Sequence, residues 1–205
     1  MTRTILMTAS LFLAATVSVA AAATSQGVTQ AEKEQTLRYL AETRNGIVDA
    51  VKGLSEAQWK FKPAPDRWSV AEIVEHLALI EDVVSQNILA NIEKAPAPSA
   101  DRDPKQVDAM LLAKVPDRST KFQAPPAAVP TGRWTPAETL EHFLASRAQT
   151  VALFKSTPDL RDHALNHPVF GPLDGYEWVL AVAAHSARHT KQILEVKADP
   201  NFPAN

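Results

Sequence analysis

Cysteine is absent from the 205 residues, which excludes disulfide staples, a thiolate nucleophile, thiolate metal ligands and a lipid anchor on a leader cysteine. A surplus of one charge is missing as well. With 21 basic and 23 acidic side chains spread along the chain, the formal net charge is −2, too weak a field of either sign to hold a phosphate backbone or an anionic membrane surface. Nucleic acid is set aside as a partner on that ground. No stretch alternates apolar and polar residues long enough to predict a strand. The one long apolar run, Ile5 to Ala20, is interrupted by Thr8, Ser10, Thr16 and Ser18 and has no basic residues directly after it. It is also short for a ~30 Å hydrocarbon core, so it does not read as a membrane span.

What this run does resemble is a secretory leader: Arg3 precedes it and the small residues Ala21-Ala22-Ala23 follow, the positive, apolar and small-residue order that a signal peptidase reads. Cleavage is expected after Ala23, with Ala20 as the alternative. Residues 1–23 are therefore expected to be a signal peptide and residues 24–205 one domain, a size that buries a proper core alone. The expected location is periplasmic or secreted.

Helical spacing organises the rest. Leu37, Leu40, Ile47 and Val51 recur on one face between Thr29 and Lys52, and Thr29 with Glu32 spells a capping box. Gly53 closes that helix, and the passage through Trp59, Phe61, Pro63 and Pro65 reads as irregular. A second helix starts at Ser69, with Glu72 reaching back and Trp68 packing ahead of it, and is expected to run to about Glu93. The third starts at Thr135-Pro136, where proline at the first helical position costs no hydrogen bond, and runs to about Ser156. The fourth starts near Asp174-Gly175 and ends about Lys197, before Pro200. Between the second and third lie about forty residues rich in proline and alanine, with a short helix from Asp103-Pro104 to near Val115. That is too long for a tight turn and long enough to travel the length of a bundle. The fold class is all-α: a four-helix bundle with a long crossover between helices two and three, its exact topology left open.

The histidines sort by face. On the second helix, Ile73, Leu77, Ile80 and Val84 set the apolar stripe, and His76 falls roughly 70° from its centre, at the edge of the buried face. On the fourth, Trp178, Val182, Ile193 and Val196 define a stripe, with His185 and His189 within roughly 30° of its centre. Two histidines four apart on one face aim both imidazoles at one point, as a metal requires, and a third from a facing helix completes an open set of three with room for water or substrate. The competing reading is three hydrogen-bonded core histidines. His142 belongs to a repeat, since Arg133-Trp134-Thr135-x-Ala137-Glu138-x-x-Glu141-His142 matches Arg67-Trp68-Ser69-x-Ala71-Glu72-x-x-Glu75-His76 position for position. It nevertheless lies roughly 160° from the stripe of Leu140, Leu144, Val151 and Phe154, and is expected to face solvent. His163 and His167 are placed in a loop by Pro168 and Gly171.

The combination Trp68-Ser69-x-x-Glu72-x-x-x-His76-Leu77, Phe170-Gly171-Pro172-Leu173, Glu177-Trp178 and His185-x-x-Arg188-His189-x-x-Gln192-Ile193 resembles the DinB/YfiT-like superfamily over nearly all of the mature chain. The resemblance implies a four-helix bundle holding a metal through one histidine of the second helix and a His-x-x-x-His pair of the fourth. Carried over, the ligands are His76, His185 and His189, the trio selected by face. It further implies a divalent metal cofactor, zinc or else nickel, iron or manganese. Characterised members are similar to thiol-dependent transferases and isomerases, from which this chain departs in carrying an export leader, because their thiol cofactors are cytoplasmic. Nothing here resembles a DNA polymerase.

The expected function is that of a metal-dependent enzyme of hydrolase or thiol S-transferase type, with a non-catalytic exported metal- or ligand-binding protein as the alternative. The expected partner is a small-molecule substrate, with no membrane once the leader is removed and a homodimer left open. Arg147, near the centre of the third helix's stripe, must be paired or face a cavity; a substrate carboxylate or a buried acid could serve. Glu72 and Glu75 read as capping and solvated residues, Glu177 as a first-turn acid and Arg188 as a rim residue, which leaves the catalytic residues unassigned.

Overall fold

The computed structural model describes residues 27–204, so the expected leader lies outside the described residues. Among the described residues, six α-helices and one short hairpin follow in the order α1 (Gln30–Val51), α2 (Glu56–Lys60), α3 (Val70–Asp82), α4 (Pro104–Lys114), α5 (Pro136–Ser156), β1 (Ala164–His167), β2 (Gly171–Asp174) and α6 (Gly175–Lys197). The bundle consists of α1, α3, α5 and α6. No described helix is long and apolar enough to cross a membrane.

Helix starts are where local sequence acts most directly. Thr29, Ser69, Thr135 and Asp174 each accept from the backbone N–H three residues on, while Glu32, Glu72, Glu138 and Glu177 reach back to the cap, which satisfies donors that an open helix end leaves bare. Two helical features depart from the sequence reading. Ser55 and Gln58 make one more capping box, so the passage after Gly53 contains the short helix α2, whose Trp59 is buried. The helix expected to reach Glu93 does extend to Lys94, but it changes to a π-helical coil at Val83–Ile88 and a 3₁₀ coil at Leu89–Lys94.

The hairpin was not expected from the sequence. Ala164 pairs with Asp174 and His167 with Gly171, antiparallel, across the three-residue loop 168–170, which is followed by Gly171 at φ +73°, a conformation that glycine adopts without steric cost. Four-residue strands containing Asn166, His167 and Pro172 carry no alternation to detect. Their pairing is fixed instead by the turn and by α6, whose first residue donates its N–H to Leu160 O at 2.7 Å. At Gly175 a Cβ would stand 2.9 Å from Leu160 Cδ2 and 3.0 Å from the Leu160 carbonyl oxygen, so a side chain there would crowd the carbonyl that its own N–H binds.

The direction of the helices follows from their contacts. Thr36 meets Tyr176, Gly46 lies against Thr190, and Lys197 reaches Ala50 O; residue numbers rise together along both helices, so α1 and α6 run parallel. Helices one and four of an up-down-up-down bundle run antiparallel, so the long crossover has changed the order of directions. α6 is the central element. From Gly175 to Ala184 every residue is buried, because α1, α3, α4 and β2 surround it.

Candidate metal centre

Packing α3 against α6 brings His76, His185 and His189 together. His76 Nε2 lies 3.3 Å from His185 Nε2, which lies 3.0 Å from His189 Nε2. One ligand atom from each of the three falls within 4.8 Å of the others. His76 and His189 are buried and His185 is partly exposed. Trp68, the residue before the α3 cap, lays its ring 4.9 Å from His76 and 6.5 Å from His189, which gives the cluster an apolar wall.

Burial is the main force on the charge of these imidazoles. It lowers the pKa of His76, and it lowers those of His185 and His189 well below the ordinary value with further help from the neighbouring histidines. Taking a cation out of water is costly, so the neutral form is favoured, and that is the form which ligates. The tautomer of His76 is fixed as well. Its Nδ1 lies 2.7 Å from the carbonyl of Ala128, and since a carbonyl only accepts, the proton is on Nδ1 and the lone pair of Nε2 faces the cluster. The donor set therefore fits a divalent ion of borderline softness: converging neutral nitrogens, with no described fourth His, Cys, Asp or Glu in the group.

The crossover supplies the surroundings. A short 3₁₀ turn, Pro126–Ala128, presents the Ala128 carbonyl to His76. The adjacent Glu75 was expected to be solvated; it is 2 % exposed and accepts from Thr131 N and Gly132 N, each at 2.8 Å, and from Arg133 Nε. Arg188 was expected at the rim, yet it is buried beneath the crossover and donates to the carbonyls of Val115, Asp117 and Thr120. Both corrections have one cause: a periodicity reckoned on one helix ignores a segment without periodicity that covers its outer face. The crossover is thus tied to the residues flanking two of the three histidines.

Arg147 is corrected as a substrate-binding residue. It is 1 % exposed, meets Glu81 through Nε at 2.7 Å and Nη2 at 2.5 Å, and gives its other N–H groups to Leu40 O, Thr43 Oγ1 and Ser186 Oγ. The five donors of the guanidinium are occupied within the protein, which leaves none for a ligand. Glu177 is likewise more than a first-turn acid. It is fully buried beside Asp174, Arg102 and Arg161, and burial together with the Asp174 charge raises its pKa.

The remaining histidines stay apart from the trio. His142 is partly covered instead of solvent-facing: its Nε2 lies 2.7 Å from Asp82 Oδ2 and its ring stacks on Trp134 at 4.3 Å. The buried face of α5 runs through Thr139, Phe143, Ser146, Arg147, Thr150 and Phe154, rotated from the apolar stripe because its polar residues pair with Glu81, Asp82 and α1. His163 binds the Ala95 carbonyl at 2.6 Å. His167, in β1 and not in a loop, packs on Trp178 at 4.9 Å and accepts the N–H groups of Val169 and Phe170; burial pushes its pKa down to about 4.

The chain is similar to known proteins in sequence and in fold. The protein YuaE of Bacillus subtilis (strain 168), itself uncharacterized, is 27 % identical over 158 residues, 76 % of this chain and 93 % of that one. Two solved structures are similar in fold. One is TT2238, a four-helix bundle protein, with TM-score 0.52 and 18 % identity, over 80 % of this chain and 98 % of the other. The other is YfiT from Bacillus subtilis, described as "a probable metal-dependent hydrolase with an unusual four-helix bundle topology", with TM-score 0.53 and 14 % identity, over 87 % and 93 % of the two chains. The match that assigns the family spans residues 39–193 and so contains all three clustered histidines: this chain belongs to the DinB superfamily.

Proposed function

We propose that the protein is a metal-dependent enzyme, of hydrolase type, that acts on a small molecule outside the cytoplasm after removal of its leader. The observation that carries the reading is the convergence of His76, His185 and His189, with one ligand atom of each within 4.8 Å of the others, beside the Trp68 ring. Such a set would hold a zinc ion, or a nickel, iron or manganese ion, with at least one coordination position left open, and the ion would supply Lewis acidity there. Family membership and the likeness to YfiT support the reading.

The protein's own side chains have distinct tasks in it. Ala128 O holds the His76 ring with its Nε2 turned inward. Trp68 excludes water from one side, which strengthens any electrostatic interaction within. Neither Glu75 nor Arg147 is free to move a proton or bind a carboxylate, since each is saturated by partners of its own.

Plasma mass spectrometry of the purified protein, followed by turnover assays on ester, amide and lactone panels with and without chelator, tests the proposal. One metal equivalent and chelator-sensitive hydrolysis are expected. One equivalent without turnover across hydrolytic and thiol-transfer panels would leave a metal-binding protein, and no metal at all would overturn the reading. For the leader, intact mass of exported material should place the N-terminus at Thr24; retention of Met1 would sink that part.

A further inference from the structure

Gln192 lies one turn beyond His189 on α6, and its side-chain Oε1 is 2.8 Å from His189 Nδ1. The same oxygen is 3.2 Å from Nη1 of Arg118, a residue of the crossover. An arginine can only donate, so the amide atom facing Arg118 must be the oxygen. An oxygen can only accept, so His189 Nδ1 must carry the proton. The Nε2 of His189 is then left as a lone pair toward His76 and His185. Arg118 is itself held in place by Glu195, through Nε to Oε1 at 2.6 Å and Nη2 to Oε2 at 2.7 Å.

From these contacts we infer that Arg118 and Gln192 are positioning residues: the crossover arginine fixes the orientation of the Gln192 amide, and the amide fixes His189 as a metal-ready tautomer. The inference rests on the metal reading above and deepens it. The same logic already holds for His76, whose proton is placed by Ala128 O of the same crossover. Two of the three rings, one from each helix, thus take their tautomer from a segment between residues 118 and 128 that carries no ligand of its own. Outer partners of this kind orient a ligand ring and raise its basicity, and their loss typically weakens metal binding by ~10–100-fold.

Two measurements on Arg118→Met, Gln192→Ala and Gln192→Glu test it. Nitrogen-15 NMR of the metal-free protein reads which ring nitrogen of His189 is protonated, and competition with a chromophoric chelator reads zinc affinity. The natural protein should show His189 protonated on Nδ1. Arg118→Met and Gln192→Ala should shift it toward a mixture with the Nε2–H form and weaken zinc binding by ~10–100-fold, with helicity unchanged by circular dichroism. Gln192→Glu keeps an acceptor facing both neighbours and should retain the tautomer and at least natural affinity.

The inference is overturned if His189 stays protonated on Nδ1 in both disrupting variants, if zinc affinity holds while the tautomer shifts, or if Gln192→Glu loses as much affinity as Gln192→Ala. Should the natural protein take up no zinc, the metal reading falls by itself. The tautomers, measured without metal, still decide whether the relay from Arg118 exists.

Discussion

Arg147 of α5 and Glu81 of α3 face each other at 2.5 Å, and neither side chain is more than 1 % exposed. Glu81 is bound in addition by Thr150 Oγ1 at 2.7 Å, and Arg147 extends the link to α1 and α6 through Leu40 O and Ser186 Oγ. One buried pair therefore touches all four helices of the bundle.

Removing a single partner should be costly. Arg147→Met leaves the Glu81 carboxylate buried without its cation, and the expected loss is about 3–5 kcal/mol of unfolding free energy. Replacing both partners, as Glu81→Leu with Arg147→Met, should cost less than the sum of the two single changes, because an apolar pair leaves no stranded charge. Urea unfolding of the four proteins measures this, and strict additivity would mean that the pair is not energetically coupled.

For the metal centre, His185→Ala and His189→Ala should each abolish stoichiometric metal binding, and His76→Ala should abolish or severely weaken it. The fold should stay helical, since the two apolar clusters exist independently of the histidines. Metal analysis and circular dichroism on the same samples decide both halves. Full metal content in all three variants would make the trio a set of core histidines, and joint loss of metal and helix would make the ion structural.

His142→Ala should leave metal content unchanged. The ring is engaged by Asp82 and Trp134 and stands outside the converging group. A stability loss of roughly 0.5–1.5 kcal/mol is expected for the lost hydrogen bond. If the variant lost a metal equivalent, the repeated motif would be a second working site.

Stability of the metal-free protein should depend on pH through the buried histidines. His76, His185 and His189 have folded pKa values lowered by burial, and that of His167 is lowered to about 4. Below the unfolded value near ~6.5 the unfolded chain therefore binds more protons than the folded one, and linkage makes stability fall. The contribution is fully present above ~6.5 and is lost progressively as pH drops toward the folded values. Glu177, raised to about 7 by burial and the Asp174 charge, contributes in the opposite sense over the same window. The histidine contribution is therefore read by comparing the natural protein with His167→Phe in thermal unfolding between about pH 8 and 5 with chelator present. The variant should lose less on acidification, and an equal loss in both would contradict the burial of this ring.

Local chemistry was legible in the sequence because it acts over a few residues. The capping boxes at Thr29, Ser69 and Thr135, the proline at the start of α5, the face of α3 that carries His76 and the i, i+4 spacing of His185 and His189 are read without a tertiary partner, and they located three helix starts and the three histidines. The box that Asp174 makes with Glu177 is equally local, but Glu177 reads from the sequence only as a first-turn acid. What the tertiary structure decided lies where partners are distant in sequence. Glu75, Arg188 and Gln192 take their roles from the crossover, a segment whose path no periodicity specifies. His142 and Arg147 take theirs from Asp82 and Glu81, because α5 turns its polar residues, not its apolar stripe, toward α3. The parallel course of α1 and α6 also depends on where the crossover returns the chain. A helix encodes its own ends and faces, whereas a buried charge or imidazole is fixed by whatever side chain or carbonyl packing brings within hydrogen-bond reach, and only the assembled bundle specifies that.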